Sequence, residues 1–202
     1  MWDRNGDKMS NIYLIRHGKT SANEKSLYCG HNDVSLCESG RTEIHTLKGE
    51  ISYPEANFYV TSGLTRANET LEIIAPKIQY VTNINLKEYN FGEFEMKNHD
   101  ELQGDERYQK WISDKDGDVR CPNGESRKDF VKRIREGFEQ IMRLTEDVED
   151  ISVFVVVHGG VISTLMEIFF EDEKNIYEWL PRNGRGYKLT VSNGNVVEYS
   201  DI

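Results

Sequence analysis

Ile151-Ser152-Val153-Phe154-Val155-Val156-Val157 is the most hydrophobic run in the chain, and it breaks off at His158-Gly159-Gly160. Its length suits a strand, and its continuous β-branched character leaves neither face polar, as in a central strand covered on both sides. Working outward, Asn11 to Ile15 (NIYLI) and Asn57 to Thr61 (NFYVT) read as two more short buried strands, and Gln79 to Leu86 as a further one. Between them lie helical patterns at about Gly40 to Ile51 and at Leu64 to Ile78, the latter with apolar positions 64, 67, 71, 74, 75 and 78. A third helix opens at Gly124-Glu125-Ser126 and carries apolar residues at 130, 131, 134, 138, 141 and 144; a fourth, short and apolar, spans Val161 to Phe170. Arg185 to Val191 and Val196 to Ser200, joined across Ser192-Asn193-Gly194-Asn195, read as an edge hairpin with an Asn-Gly turn. Strands alternating with helices predict an α/β fold, a three-layer α/β/α sandwich around a mostly parallel sheet with an antiparallel edge strand.

At 202 residues the chain suits one domain. The reading is a loose tail over residues 1–10, then a single domain over 11–202 with a lid insertion at about 87–123. The lid is polar, anchored by Tyr89, Phe91, Phe94, Tyr108 and Trp111. With 25 basic against 35 acidic residues the formal charge is −10, which argues against nucleic-acid and anionic-membrane partners. No apolar stretch approaches the ~20 residues of a membrane span, and Met1 to Ser10 lacks the apolar core of a secretory signal. Cys29, Cys37 and Cys121 are an odd number without framework spacing, as free thiols in a reducing compartment would be. A cytoplasmic protein is expected.

In such sheets ligands gather at the carboxyl ends of the strands. The residues just past the three clearest strands are Arg16-His17-Gly18, Ser62-Gly63-Leu64-Thr65-Arg66 and His158-Gly159-Gly160. Two histidines and two arginines therefore fall at one edge. A neutral imidazole can attack phosphorus, and phosphoryl transfer asks mainly for positioning and for positive charge around the equatorial oxygens. Arg16 and Arg66 offer planar donor forks, and His158 a further donor. Gly159 and Gly160 stand at a helix N-terminus that favours an anion. An alkoxide leaving group needs a proton, and Glu88, following the Gln79–Leu86 strand, is the candidate acid, its protonated form favoured beside a phosphate dianion. Spacing alone leaves Glu95, Glu93 and Asp33 as alternatives. Each element has a plainer reading as loop pair, core histidine or surface charge, and their coincidence at one edge argues against it.

Leu14-Ile15-Arg16-His17-Gly18-Lys19-Thr20 resembles the R-H-G-x-T signature of the histidine phosphatase superfamily, in its phosphoglycerate mutase-like branch. The likeness continues in order through Asn23; Gly30-His31-Asn32-Asp33; Ser62-Gly63-Leu64-Thr65-Arg66-Ala67 with Thr70; Leu86-Lys87-Glu88 with Phe91-Gly92 and Glu95; Pro122-Asn123-Gly124-Glu125-Ser126; and His158-Gly159-Gly160. It implies a phosphoglycerate mutase-like fold. It also implies His17 as phosphorylated nucleophile, Glu88 as proton donor, Arg16, Arg66 and His158 as phosphate pocket, Asn23 as a further phosphate contact, and catalysis with no metal or other cofactor. Glycolytic mutases carry a basic residue after the acid and an arginine pair in the insertion. Here Tyr89-Asn90 follows Glu88 and the lid has no Arg-Arg pair, so a phosphatase is expected, its partner a small phosphorylated metabolite. Trp111-Ile112-Ser113-Asp114 and the Pro122–Ser126 block are similar to the α-ribazole phosphatase type; Phe94-Glu95-Met96 departs from W-E-G, and Cys37 stands where Thr is common.

Three rival readings exist. Cys121 to Arg127 satisfies C-x5-R, the spacing of cysteine-dependent phosphatases, but lacks a good preceding strand and places Glu125 in the loop. Cys29, His31 and Cys37 match no closed zinc spacing. A phosphate-binding module without turnover would be expected to have lost the nucleophile or the acid, and both are present.

Overall fold

The structure is a computed structural model that describes residues 9–145, 150–170 and 174–202. Chain order is β1 (Met9–Arg16), α1 (Ser21–Glu24), α2 (Glu38–Glu50), β2 (Phe58–Thr61), α3 (Thr65–Ile74), β3 (Val81–Thr82), α4 (His99–Leu102), α5 (Glu106–Ile112), α6 (Arg127–Arg143), β4 (Ser152–Val157), α7 (Gly159–Phe169), β5 (Gly186–Ser192) and β6 (Asn195–Asp201). One sheet runs in the order β3-β2-β4-β1-β5-β6. Its first four strands are mutually parallel, while β5 is antiparallel to both β1 and β6. Ile44 and Leu47 of α2 with Ala67, Leu71 and Ile74 of α3 pack on one face; Phe130, Ile134, Phe138 and Ile141 of α6 with Val161, Ile162, Leu165 and Met166 of α7 pack on the other. This is the three-layer α/β/α sandwich with an antiparallel edge. Val153 to Val157 of β4 are all fully buried, as a strand covered on both sides requires.

The Asn-Gly turn is two residues long, Ser192 pairing Asn195, with Asn193 at φ 49° and Gly194 at φ 75°. Both central residues being left-handed is the hairpin geometry that favours this dipeptide.

Several boundaries differ from expectation. β1 begins at Met9, so Ser10, assigned to the tail, is buried in the sheet. The polar run after it contains the single-turn α1, and α2 starts at Glu38. Helix α3 stops at Ile74 rather than Ile78. Pro76 disfavours the α conformation at Ala75, which takes φ −128°, ψ 78° instead. The strand expected over Gln79–Leu86 reduces to Val81–Thr82, with a 3₁₀ turn over Ile84–Leu86. Asn83 ends it: its Oδ1 accepts from Asn85 N at 3.1 Å and its Nδ2 donates to Gly137 O of α6 at 2.9 Å. Helix α7 starts at Gly159, two residues early, with His158 as its N-cap.

Candidate active site

Register assembles the site. Arg16 pairs Val157 across β1 and β4, and Thr61 pairs Val156 across β2 and β4. The next residues, His17, His158 and Ser62, therefore emerge side by side at the carboxyl edge, all buried. The two imidazole centroids are 5.1 Å apart.

His17 Nδ1 lies 2.6 Å from Gly18 O. A carbonyl only accepts, so Nδ1 carries the proton and the Nε2 lone pair is free of it. Burial first, then Arg66 and Arg16, hold the His17 pKa well below the usual histidine range, against the raising effect of the Gly18 carbonyl. The ring is therefore neutral. Its backbone is pinned by His17 N donating to Val157 O (2.9 Å), Asn183 Nδ2 donating to His17 O (2.8 Å) and Gly18 N donating to Thr70 Oγ1 (2.9 Å). His158 Nε2 lies 2.8 Å from Ser62 Oγ. Burial, then Arg66, His17 and Arg16, keep His158 neutral as well.

Arg66, in the first turn of α3, is 1% exposed and donates to Gly30 O (2.7 Å) and Asn32 O (3.0 Å). That loop is in turn gathered by Glu95, whose carboxylate accepts from the backbone N–H groups of Gly30, His31, Asn32 and Phe91 at 2.7–3.2 Å. Arg16 Nη1 donates to Pro181 O at 2.8 Å. Burial lowers the Arg16 pKa, and the neighbouring Glu88 carboxylate opposes it. Among the described residues, Arg16 Nε and His158 Nδ1 are buried with no hydrogen-bond partner. Buried polar atoms are normally satisfied, and an anion lodged between these groups would satisfy both. A Cβ on Gly159 would sit 3.2 Å from Arg16 Nε, so the missing side chain is what lets the guanidinium approach.

Glu88 closes the edge. Its Oε1 accepts from Tyr89 N and its Oε2 from Gly160 N, each at 2.8 Å, which sets the carboxylate on the N-terminus of α7. The alternatives are committed elsewhere: Glu95 to the 30–32 loop, Asp33 to Thr65 N and Oγ1 at 2.7 and 2.8 Å, Glu93 to Arg107 and Asn123 at 2.8 Å. Asn23 departs from a simple phosphate-contact reading. Its Oδ1 accepts from Thr20 N at 3.0 Å in the capping box of α1, so only its Nδ2 donors remain for a ligand.

The rival cysteine is poorly suited. Cys121 is buried, and burial pushes its thiol up to about 12, away from the thiolate that chemistry needs. Among the described residues no group of three or more His, Cys, Asp or Glu could hold a metal ion, so Cys29, His31 and Cys37 do not form a metal site there. Nor is any described helix long and apolar enough to cross a membrane. In the sequence Ser62 stands only as part of a motif, and no pattern marks Arg133, whose contacts include three backbone carbonyls.

A mostly parallel sheet thus presents two neutral histidines, two arginines and a carboxylate at one edge, the kinds of group that phosphoryl chemistry draws on. The chain belongs to the histidine phosphatase superfamily, branch 1, whose family model matches residues 12–197, and it is an enzyme of the phosphatase class. It is 34% identical over 162 residues to an adenosylcobalamin/alpha-ribazole phosphatase of Escherichia coli (strain K12), covering 77% of this chain and 76% of the relative. It is also 34% identical over 172 residues to the 2,3-bisphosphoglycerate-dependent phosphoglycerate mutase 2 of Gloeobacter violaceus, covering 79% and 76%. The crystal structure of the alpha-ribazole phosphatase from Shigella flexneri shares the fold at TM-score 0.80 and 23% identity, over 93% of this chain and 94% of that one.

Proposed function

We propose that the protein hydrolyses a small phosphate monoester through a phosphohistidine on His17, with Glu88 as proton donor and water as final acceptor. The observation that carries this is the His17 tautomer: the bond from Nδ1–H to Gly18 O leaves Nε2 as the nucleophile, in a ring that burial and two guanidiniums keep neutral. In the first step the Nε2 lone pair forms a bond to phosphorus. The bond from phosphorus to the leaving oxygen breaks with its electron pair, and that oxygen takes the proton of the Glu88 carboxyl. In the second, water attacks phosphorus and gives a proton to the Glu88 carboxylate, and the P–N bond breaks back to Nε2. Arg16, Arg66 and His158 surround the equatorial oxygens, supplying protein cations and donors rather than a metal. Asn23 Nδ2 and the α7 N-terminus at Gly159 complete the pocket.

Equal identity to a phosphatase and to a mutase does not separate hydrolysis from transfer, so individual residues must. A mutase needs cations to grip a second acidic group. Tyr89, directly after the acid, is buried, its hydroxyl donating to Glu125 O at 2.8 Å and accepting from Trp111 Nε1 at 3.1 Å. Of the lid arginines, Arg107 is engaged by Glu93 and Asp105 and Arg120 by Asp129. These contacts favour water as acceptor. The names of the relatives make α-ribazole 5′-phosphate the first substrate to try among small monoesters.

The test is a panel of monoesters including α-ribazole 5′-phosphate and 3-phosphoglycerate, run on wild type and on His17→Ala. Release of phosphate by wild type, a loss of at least ~10³-fold in the variant, and an acid-labile phosphoenzyme on rapid quench are expected. Turnover surviving in His17→Ala, or label passing to a second hydroxyl instead of water, would overturn the assignment.

A further inference from the structure

The Glu125–Arg133 pair has no part in the reaction above, yet it grips the segment that carries the acid. All five N–H donors of Arg133 are engaged. Nε and Nη2 bind the two Glu125 carboxylate oxygens at 2.7 and 2.8 Å, a bidentate pair, while Nη1 donates to Asn85 O (2.8 Å) and Lys87 O (2.9 Å), and Nη2 also to Glu88 O (3.2 Å). Glu125 Oε2 accepts in addition from Asn90 N at 2.9 Å. The carbonyl of Glu88 and the N–H two residues on are thus held by one ion pair, whose side chains are only 18% and 14% exposed.

We propose that Arg133 and Glu125 are positioning residues that hold the backbone of Glu88 so that its carboxyl meets the leaving oxygen. The inference rests on Glu88 being the proton donor. Two observations separate it from a plain structural staple. Helix α6 is already fastened by Phe130, Ile134, Phe138 and Ile141 in the core. A buried ion pair adds little stability over an apolar pair of the same volume, because both charges must be desolvated. What it supplies is fixed geometry. The planar guanidinium fork reaches the carbonyls of Asn85, Lys87 and Glu88 and a carboxylate at once, which a lysine ammonium with three donors on a flexible stem does not reproduce.

In the first step, transfer of the phosphoryl group to His17, a misplaced acid harms only leaving groups that need a proton. 2,4-Dinitrophenyl phosphate expels a stable phenolate that leaves unprotonated, whereas glycerol 2-phosphate expels an alkoxide that must be protonated. The experiment measures kcat/KM, which reports the steps up to the phosphoenzyme and leaves out the later hydrolysis that both substrates share, for both in wild type, Arg133→Lys, Glu125→Gln, Glu88→Gln and His17→Ala. For Arg133→Lys and Glu125→Gln the glycerol 2-phosphate to dinitrophenyl phosphate ratio should fall about 10- to 100-fold, and for Glu88→Gln further still. His17→Ala should lose both substrates together. Should Arg133→Lys unfold, Glu125→Gln, which keeps the shape of the side chain, decides. Equal losses on both substrates in these two variants, with Glu88→Gln still selective, would reduce the pair to a structural contact. An unselective Glu88→Gln would instead overturn the role of the acid, and the positioning role with it.

Discussion

The rings of His17 and His158 lie 5.1 Å apart between centroids, and both are neutral in the fold for the same causes, burial first and the charges of Arg66 and Arg16 after it. The consequence for stability has a definite sign. The unfolded chain protonates these rings near pH 6.5 while the folded chain does not, so below that pH the unfolded state binds more protons and stability falls. Each histidine should cost about 1.4 kcal/mol per pH unit between 6.5 and its folded pKa. Tm followed by calorimetry from pH 7 to pH 5.5 should decline, and His158→Asn should flatten the decline; parallel curves would exclude the effect. Inorganic phosphate should also flatten it, because an anion in the pocket favours protonated rings. These histidines were legible in the sequence because they directly follow strands, and Arg16 and Arg66 because they stand at a strand's last residue and in the first turn of the helix after one, where position alone marks a site. Asn23 was less so, since an amide that caps a helix through Oδ1 and one that binds a ligand look alike in sequence. Arg133 left no trace, for its acceptors are mostly carbonyls that every residue has.

At the scale of elements, type and order were readable and lengths were not. The apolar period ran on to Ile78, but Pro76 decides the end of α3, and period says nothing about φ at the residue before it. β3 stops short as a strand because Asn83, its backbone N still bonded to Thr61 O, turns its side chain to capping the 3₁₀ turn at Asn85 and to Gly137 of α6, a partner 54 positions away. Helix α6 therefore matters beyond its packing, since it sets the turn that leads into Glu88 and carries Arg133. Its start is a capping box: Asp129 N donates to Ser126 Oγ at 3.2 Å, and Ser126 N to Asp129 Oδ2 at 3.0 Å. Ser126→Ala should cost ~1 kcal/mol, seen as a Tm lower by ~2–4 °C for a chain of this size. An unchanged Tm would mean that the tertiary contacts of α6 hold its first turn without the cap.

Across the whole molecule, the lid is part of the core rather than a flap laid on it. Tyr28, Tyr89, Phe91, Phe94, Tyr108 and Trp111 form an unbroken set of ring contacts at centroid distances of 5.0 to 5.9 Å, and Tyr89 continues it to Phe130 of α6 at 5.2 Å. Tyr28 belongs to the loop before α2, so three separated stretches of sequence share one cluster. Tyr89 and Tyr108 are 8% and 1% exposed, which makes them anchors of the lid rather than a surface for substrate. A segment with so many buried apolar contacts has no low-energy way to open alone, and unfolding should be one cooperative transition. Trp111 reports on the lid directly. In a background carrying Trp2→Phe and Trp179→Phe, its emission, followed through urea unfolding, should trace the same midpoint and slope as far-UV circular dichroism. A Trp111 transition that precedes the loss of secondary structure would show the lid to be a separate unit. Access to His17 would then depend on its opening, and kcat should vary with solvent viscosity.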